Sequence, residues 1–197
     1  SGGSLDSPEH FRALWGLSVF YQARARLDEA VALGEGLVQS AQRLEDPSLE
    51  LMAYQVLGSP LFWQGHFRKA LECVERAMDL YRADEHRRLA QHYGEDPGVS
   101  TRVYAALARW HLGLPHQAAA TIQDAARLAE SGGHPFSVGY ARCLLAATHA
   151  LRREREQTAI EAERALEIAV SQDLQLWAAN ARFLLTWPAI PRASTAI

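Results

Sequence analysis

The stretches GHFRKAL (residues 65–71) and GLPHQAA (113–119) share one design. A glycine ends one helix, a bulkier residue or proline follows two positions later, and an alanine comes three after that. ARLDEAV (25–31) repeats the pattern with Ala25 in the glycine position, and EREQTAI (154–160) fits it loosely, with Glu154 and Glu156. The aligned alanines are Ala30, Ala70, Ala118 and Ala159, separated by 40, 48 and 41 residues. Two antiparallel helices approach closely only where neither carries a large side chain, and glycine supplies the left-handed turn between them. A period near 40 of helix-turn-helix units predicts a helical solenoid. One pair cannot bury its apolar face alone, so the pairs must stack.

Working outward from these stretches, apolar residues recur at spacings of three and four, and no sustained alternation by two marks a strand. Leu27, Ala30, Leu33, Leu37, Ala41 and Leu44 form one stripe, and Phe67, Ala70, Leu71, Val74, Ala77, Met78 and Tyr81 another. Ala118, Ile122, Ala125, Leu128 and Ala129 form a third, and Ala159, Ala162, Leu166 and Ala169 a fourth. Proline and glycine punctuate them at Asp46-Pro47, Gly65, Asp96-Pro97-Gly98, Gly113 with Pro115, and Gly132-Gly133 with Pro135. The spacing predicts helices over 8–22, 26–44, 47–64, 67–83, 97–113, 115–131, 135–151, 154–172 and 174–187. The expected fold is all-α: a right-handed solenoid of four helix pairs and a terminal helix over 8–187. Residues 1–7 are expected to be a linker or cloning remnant, and 188–197 a flexible tail.

Composition narrows the functional classes. A net charge of -3 and a pI near 6.2 give no basic stripe for nucleic acid. No run approaches the roughly 18 consecutive apolar residues of a membrane span, and no basic-then-apolar signal segment opens the sequence. A cytoplasmic setting with neither nucleic-acid nor membrane partner is expected. Cys73 and Cys143 each lie within an apolar-periodic run and read as buried thiols rather than a disulfide.

No catalytic constellation emerges. The chain has no G-x-x-x-x-G-K-[ST] loop, and SGGHPFS (131–137) reads as a helix end followed by a proline-led helix start. His86 and His92, six apart, and His111 and His116, across a turn, do not match the usual metal-ligand spacings. Both cysteines sit mid-helix on apolar faces, where burial disfavours the nucleophilic thiolate. RREREQ (152–157) reads as a solvated turn. In HYGEDPG (92–98), Gly94 can end a short helical run, Asp96 suits an N-cap and Pro97 the first helical position, so the two carboxylates read as loop and cap. The 48-residue interval at this point marks an insertion of about one loop length. No enzyme activity, cofactor or metal is expected.

The usable surface is the face formed by the first helix of each pair. Trp15, Val19 and Gln22 share a helix face; Gln55, Ser59, Phe62 and Trp63 form the next row; Tyr104, Leu107, Trp110 and His111 the third; Asn180 and Trp187 extend it on the last helix. Aromatic residues flanked by amides suit a peptide groove, offering rigid contact area and polar groups to fix register. These same tryptophans could equally pack between repeats. Arg87, Arg88 and His92 are expected near one mouth of the groove as polar contacts.

The segment YGEDPG (93–98), followed by WHLGLPHQA (110–118), GHPFS (133–137), LRRE (151–154) and a closing helix with Trp177 and Trp187, resembles long-period tetratricopeptide (TPR) repeats. It is similar to the TPR region C-terminal to the ATPase module in bacterial class III adenylate/guanylate cyclases and related AAA/STAND-type signalling ATPases, some with LuxR-type ends. The resemblance covers about half the chain. That family continues past the last tryptophan, whereas TWPAIPRASTAI (186–197) breaks off with two prolines, so an excised piece or a natural truncation is expected. The resemblance implies a non-catalytic interaction and regulatory segment of a larger signalling protein, binding a protein or peptide, including other domains of its parent chain. A homodimerisation module and a sensor holding a small molecule near Arg87, Arg88, His92, Tyr104 and His111 are the alternatives.

Overall fold

The computed structural model describes residues 7–187, which form helices and turns with no strand among them. The helices are α1 (Pro8–Ala23), α2 (Leu27–Leu44), α3 (Pro47–Trp63), α4 (Phe67–Leu80), α5 (Ala83–His86), α6 (Ala90–Tyr93), α7 (Pro97–His111), α8 (Pro115–Gly132), α9 (Pro135–Leu151), α10 (Arg155–Ser171) and α11 (Gln175–Thr186). All nine expected helices are present. The expected linker over 1–6 and the tail over 188–197 lie outside the described residues. Ser7, assigned by sequence to the linker, belongs to the fold: its side chain accepts the His10 N–H at 3.2 Å and caps α1.

The turn inside each helix pair has one geometry. Its left-handed residue is Ala25 (φ 56°), Gly65 (82°), Gly113 (78°) or Arg153 (62°), spaced 40, 48 and 40 residues apart. At all four the left-handed N–H reaches back three residues and the next N–H five, as in Arg153 to Ala150 and Glu154 to His149. This is the Schellman closure, which satisfies carbonyls that the helix end leaves open. Five residues beyond the turn residue lie Ala30, Ala70, Ala118 and Thr158, all essentially inaccessible to solvent. The fourth unit therefore starts one residue earlier than its alanines suggest, with Thr158 in the small-residue position and Ala159 half-buried. Threonine is tolerated because its hydroxyl turns back to the Glu154 carbonyl at 2.8 Å.

The turns between pairs use Glu45 (φ 52°), Gly94 (79°), Gly133 (69°) and Asp173 (53°). Left-handed residues thus recur every 19 or 20 positions, save for 29 between Gly65 and Gly94. The added residues are not the loop expected from sequence. They form α5, a 3₁₀ turn over Arg87–Leu89, and α6, while α4 stops at Leu80 instead of 83. His86 anchors this insert: its Nδ1 accepts the Arg82 N–H at 2.8 Å, which leaves Nε2 to donate to Ser48 Oγ at 3.2 Å. The Tyr81 hydroxyl donates to Asp96 Oδ2 at 3.1 Å, and Asp96 Oδ1 caps α7 by accepting the Gly98 N–H at 2.9 Å. Gly98 is required beneath Tyr81, because a Cβ there would overlap the ring.

The described residues divide into two compact units, 7–121 and 122–187. In the first, α3 is the central helix, packed against α1, α2, α4 and α7. It is buried almost all round from Leu51 to Phe62, and its apolar residues occupy every face accordingly. Its core joins Phe11, Trp15, Leu37, Met52 and Val56 at one end and Leu57, Leu61, Phe62, Ala70 and Ala108 at the other. In the second unit α9 packs on α10 and α11 around Cys143, Ala146, Ala162, Ala165, Ala181 and Leu184. Arg142 of α9 is clamped there between Glu130 and Glu161, with Arg164 also on Glu161 at 3.0 Å.

Two outcomes follow in denaturant unfolding. Ala25→Gly and Arg153→Gly each raise stability by about 0.5–1 kcal/mol, whereas Gly65→Ala lowers it by about 1 kcal/mol. A loss of stability in Arg153→Gly would contradict the 153–158 register. Burial also holds the His86 imidazole below its ordinary value, with Arg82 and Arg88 acting in the same direction and Glu85 and Asp84 opposing them. Its contribution is complete above pH 6.5 and is lost as pH falls through the lower folded value. Melting temperatures should therefore drop below pH 6.5, less steeply in His86→Asn; an unchanged slope would show that this histidine does not govern the acid limb.

Candidate functional site

The three first helices of unit 1, α1, α3 and α7, share a row of side-chain hydrogen bonds. Trp15 Nε1 donates to Gln55 Oε1 at 3.3 Å, and Gln55 Nε2 donates to Glu95 Oε1 at 2.7 Å. One turn along, Ser59 Oγ donates to Gln22 Oε1 at 2.5 Å, and Gln22 Nε2 donates to the Tyr104 hydroxyl at 3.3 Å. Trp63 Nε1 donates to the same Tyr104 oxygen at 3.3 Å. Each helix contributes at its own register, and the repeat brings the three registers level. Burial raises the Tyr104 phenol above its usual value, so it stays protonated across the neutral range.

Burial sorts the expected groove residues into two sets. Gln55 (4% exposed) and Phe62 (6%) are part of the packing, and Trp15 is scarcely more open at 9%. Phe62 centres an aromatic cluster, with Trp63 at 5.2 Å, Phe67 at 5.4 Å, Tyr104 at 5.8 Å and His111 at 5.4 Å between ring centroids. Trp63 is the outward member, 58% exposed, with its indole held by Tyr104 from below and Phe62 from the side. It forms one wall of an apolar cleft of about 410 Å³, whose other walls are Val19, Gln22, Ala23, Ala25 and Leu27. Gln22 and Tyr104 are half-buried, Trp110 likewise, and His111 is exposed with its ring stacked on Phe67 at 4.5 Å.

Arg87, Arg88 and His92 lie on the helical insert. Arg88 and His92 are exposed, the His92 Nδ1 facing the Arg88 carbonyl at 3.5 Å, and Arg87 is half-buried near Tyr81. Asn180 belongs to unit 2. It is exposed on α11 and donates to the Leu176 carbonyl one turn back. It shares the outer face of α11 with Leu176, Phe183 and Trp187, all exposed. Both cysteines are free thiols, Cys143 buried and Cys73 half-buried; burial pushes them up to about 12 and about 11 respectively. Among the described residues, no three His, Cys, Asp or Glu side chains gather as a metal site would require, and no helix is long and apolar enough to cross a membrane.

Glu95 is the residue that sequence reasoning passed over. The cap chemistry of Asp-Pro-Gly accounts for Asp96, and Glu95 beside it read as loop. In the structure its carboxylate turns toward α3 and meets Gln55, with the Ser100 hydroxyl as a second donor. Burial pushes it up to about 7, Asp96 adds to the rise, and the bonds from Ser100 and Gln55 oppose it. A glutamate next to an N-cap aspartate carries no sequence signature that separates it from a solvated one.

No protein-family model matches the chain, and no curated protein matches it significantly.

Glu95 makes a testable contribution to stability. Its folded pKa lies above its unfolded one, so its contribution is present below pH 4.5 and is lost as pH rises through about 7. Glu95→Gln should keep the bond to Gln55, melt higher than the native chain at pH 8, and match it near pH 4.5. Equal melting temperatures at pH 8 would mean that the carboxylate is solvated.

Proposed function

We propose that the chain is a TPR-like interaction and regulatory segment, with its helix pairs stacked as a solenoid, and that unit 1 binds a peptide or protein along the α1–α3–α7 face. The observation that carries this reading is Trp63. A large apolar ring left mostly in water, yet fixed by a half-buried tyrosine and an aromatic neighbour beside an apolar cleft, is preorganised for contact. Gln22 lies at the same cleft and joins the same hydrogen-bond row, which suits it to setting the register of an extended or helical partner. The resemblance to the TPR regions of bacterial cyclases and signalling ATPases extends this to regulation within a cytoplasmic parent protein. There a partner that favours one curvature of the stack would shift its population. Such a role needs no catalytic residue.

Affinity selection of a random peptide library on the purified chain tests the reading. Selected peptides should bind the native chain and lose about tenfold or more in affinity to Trp63→Ala. That substitution should leave the melting temperature nearly unchanged, since the ring is exposed. A library that yields no binders, or binders indifferent to Trp63, would contradict it.

One observation favours assembly as a second reading. Leu176, Phe183 and Trp187 line the exposed face of α11 at helical spacing, and Phe183 is 58% exposed. Such a row is what a second copy of the helix could cover. Light scattering across a concentration series should then show a dimer that Phe183→Glu dissolves; a monomer at every concentration would remove this reading.

A further inference from the structure

Among the described residues Glu95 has hydrogen-bond partners, Gln55 and Ser100, but no cationic one. The basic side chains of the neighbouring elements are engaged elsewhere. Arg12 of α1 is within 3.9 Å of Glu9, Arg102 of α7 lies over the Tyr81 ring at 5.6 Å, Arg109 pairs with Glu75 at 2.7 Å, and Arg87 of the insert faces Tyr81. The other titratable groups around it are Asp96 beside it and Tyr104 on α7; α3 presents the Gln55 amide. A carboxylate taken this far from bulk water without a counter-ion is costly to ionise. The residue nevertheless keeps partial access to solvent, so a group arriving from outside can reach it.

The missing counter-ion points to the kind of group. Gln55 links Glu95 directly to the Trp15 indole, and the Tyr93 ring stands edge-on to Trp15 with centroids 4.8 Å apart. Tyr104, on the same face, feels the Glu95 charge. A carboxylate that accepts from an amide N–H and lacks a counter-ion favours an arriving cation and disfavours an anion or a neutral apolar group. We propose that the α1–α3–α7 face seats a lysine or arginine side chain of its peptide partner on the Glu95 carboxylate, beside Trp15 and Tyr93. The proposal rests on the peptide-binding reading above and gives it a chemical class of ligand. Binding and proton release are coupled, because the cation favours the ionised carboxylate.

The same random peptide library, selected at pH 8 on the native chain and on Glu95→Gln, tests this. The variant keeps the Gln55 bond and the fold, so a change in selection reports on charge. Native selections should enrich one basic position. Those peptides should lose about tenfold in affinity to Glu95→Gln, and should bind the native chain more weakly at pH 6 than at pH 8. Native binders with no basic position, or basic binders equally tight on both proteins, would overturn the cation site while leaving the groove intact. A library with no binders at all would overturn both.

Discussion

Close approach of two helices at a small side chain, set five residues past a left-handed turn, is the constraint on which the structure depends. The turn reverses the chain and closes the open carbonyls of the first helix. The small residue then lets the second helix lie against the first, at Ala30, Ala70, Ala118 and Thr158. Enlarging any of the four would separate a pair at its base and tilt the helix next to it. The interface between successive first helices, where the hydrogen-bond row lies, inherits its alignment from these turns. Trp15, Gln55 and Glu95 meet because α1, α3 and the start of α7 are held level.

How much of this was legible depends on which residue takes the left-handed position. Gly65 and Gly113 announce it, since glycine alone adopts positive φ at no cost. Arg153 does not, because nothing about an arginine in LRRE marks a backbone outlier, and the neighbouring alanine drew the register one residue too far. The insert was legible as length but not as structure. Its helical turns depend on His86 bridging the Arg82 amide and Ser48, a contact 38 residues away in sequence. Long-range polar contacts of this kind leave no periodic trace.

The candidate site divides in the same way. Helical spacing grouped Trp15, Gln22, Gln55 and Tyr104 on one expected face, and hydrogen bonds join them in two short chains. Spacing could not separate Phe62, which packs inward, from Trp63, one residue on, which faces solvent. Adjacent aromatics differ by one step around the helix, and only the position of α7 and Phe67 settles which ring is covered. Glu95 is the clearest case of hidden chemistry. Its neighbour's role as a cap explained the whole dipeptide, and the acid's turn toward α3 became visible only in three dimensions.

The five tryptophans provide the most direct test of recognition by unit 1, since each gives one indole N–H signal. In a nitrogen-15 correlation spectrum of the chain titrated with a selected peptide, the Trp15 and Trp63 signals should shift. Those of Trp177, on α11, and Trp187, the residue that caps it, should stay in place. Shifts confined to Trp177 and Trp187, or none at any indole while the peptide binds, would contradict the account.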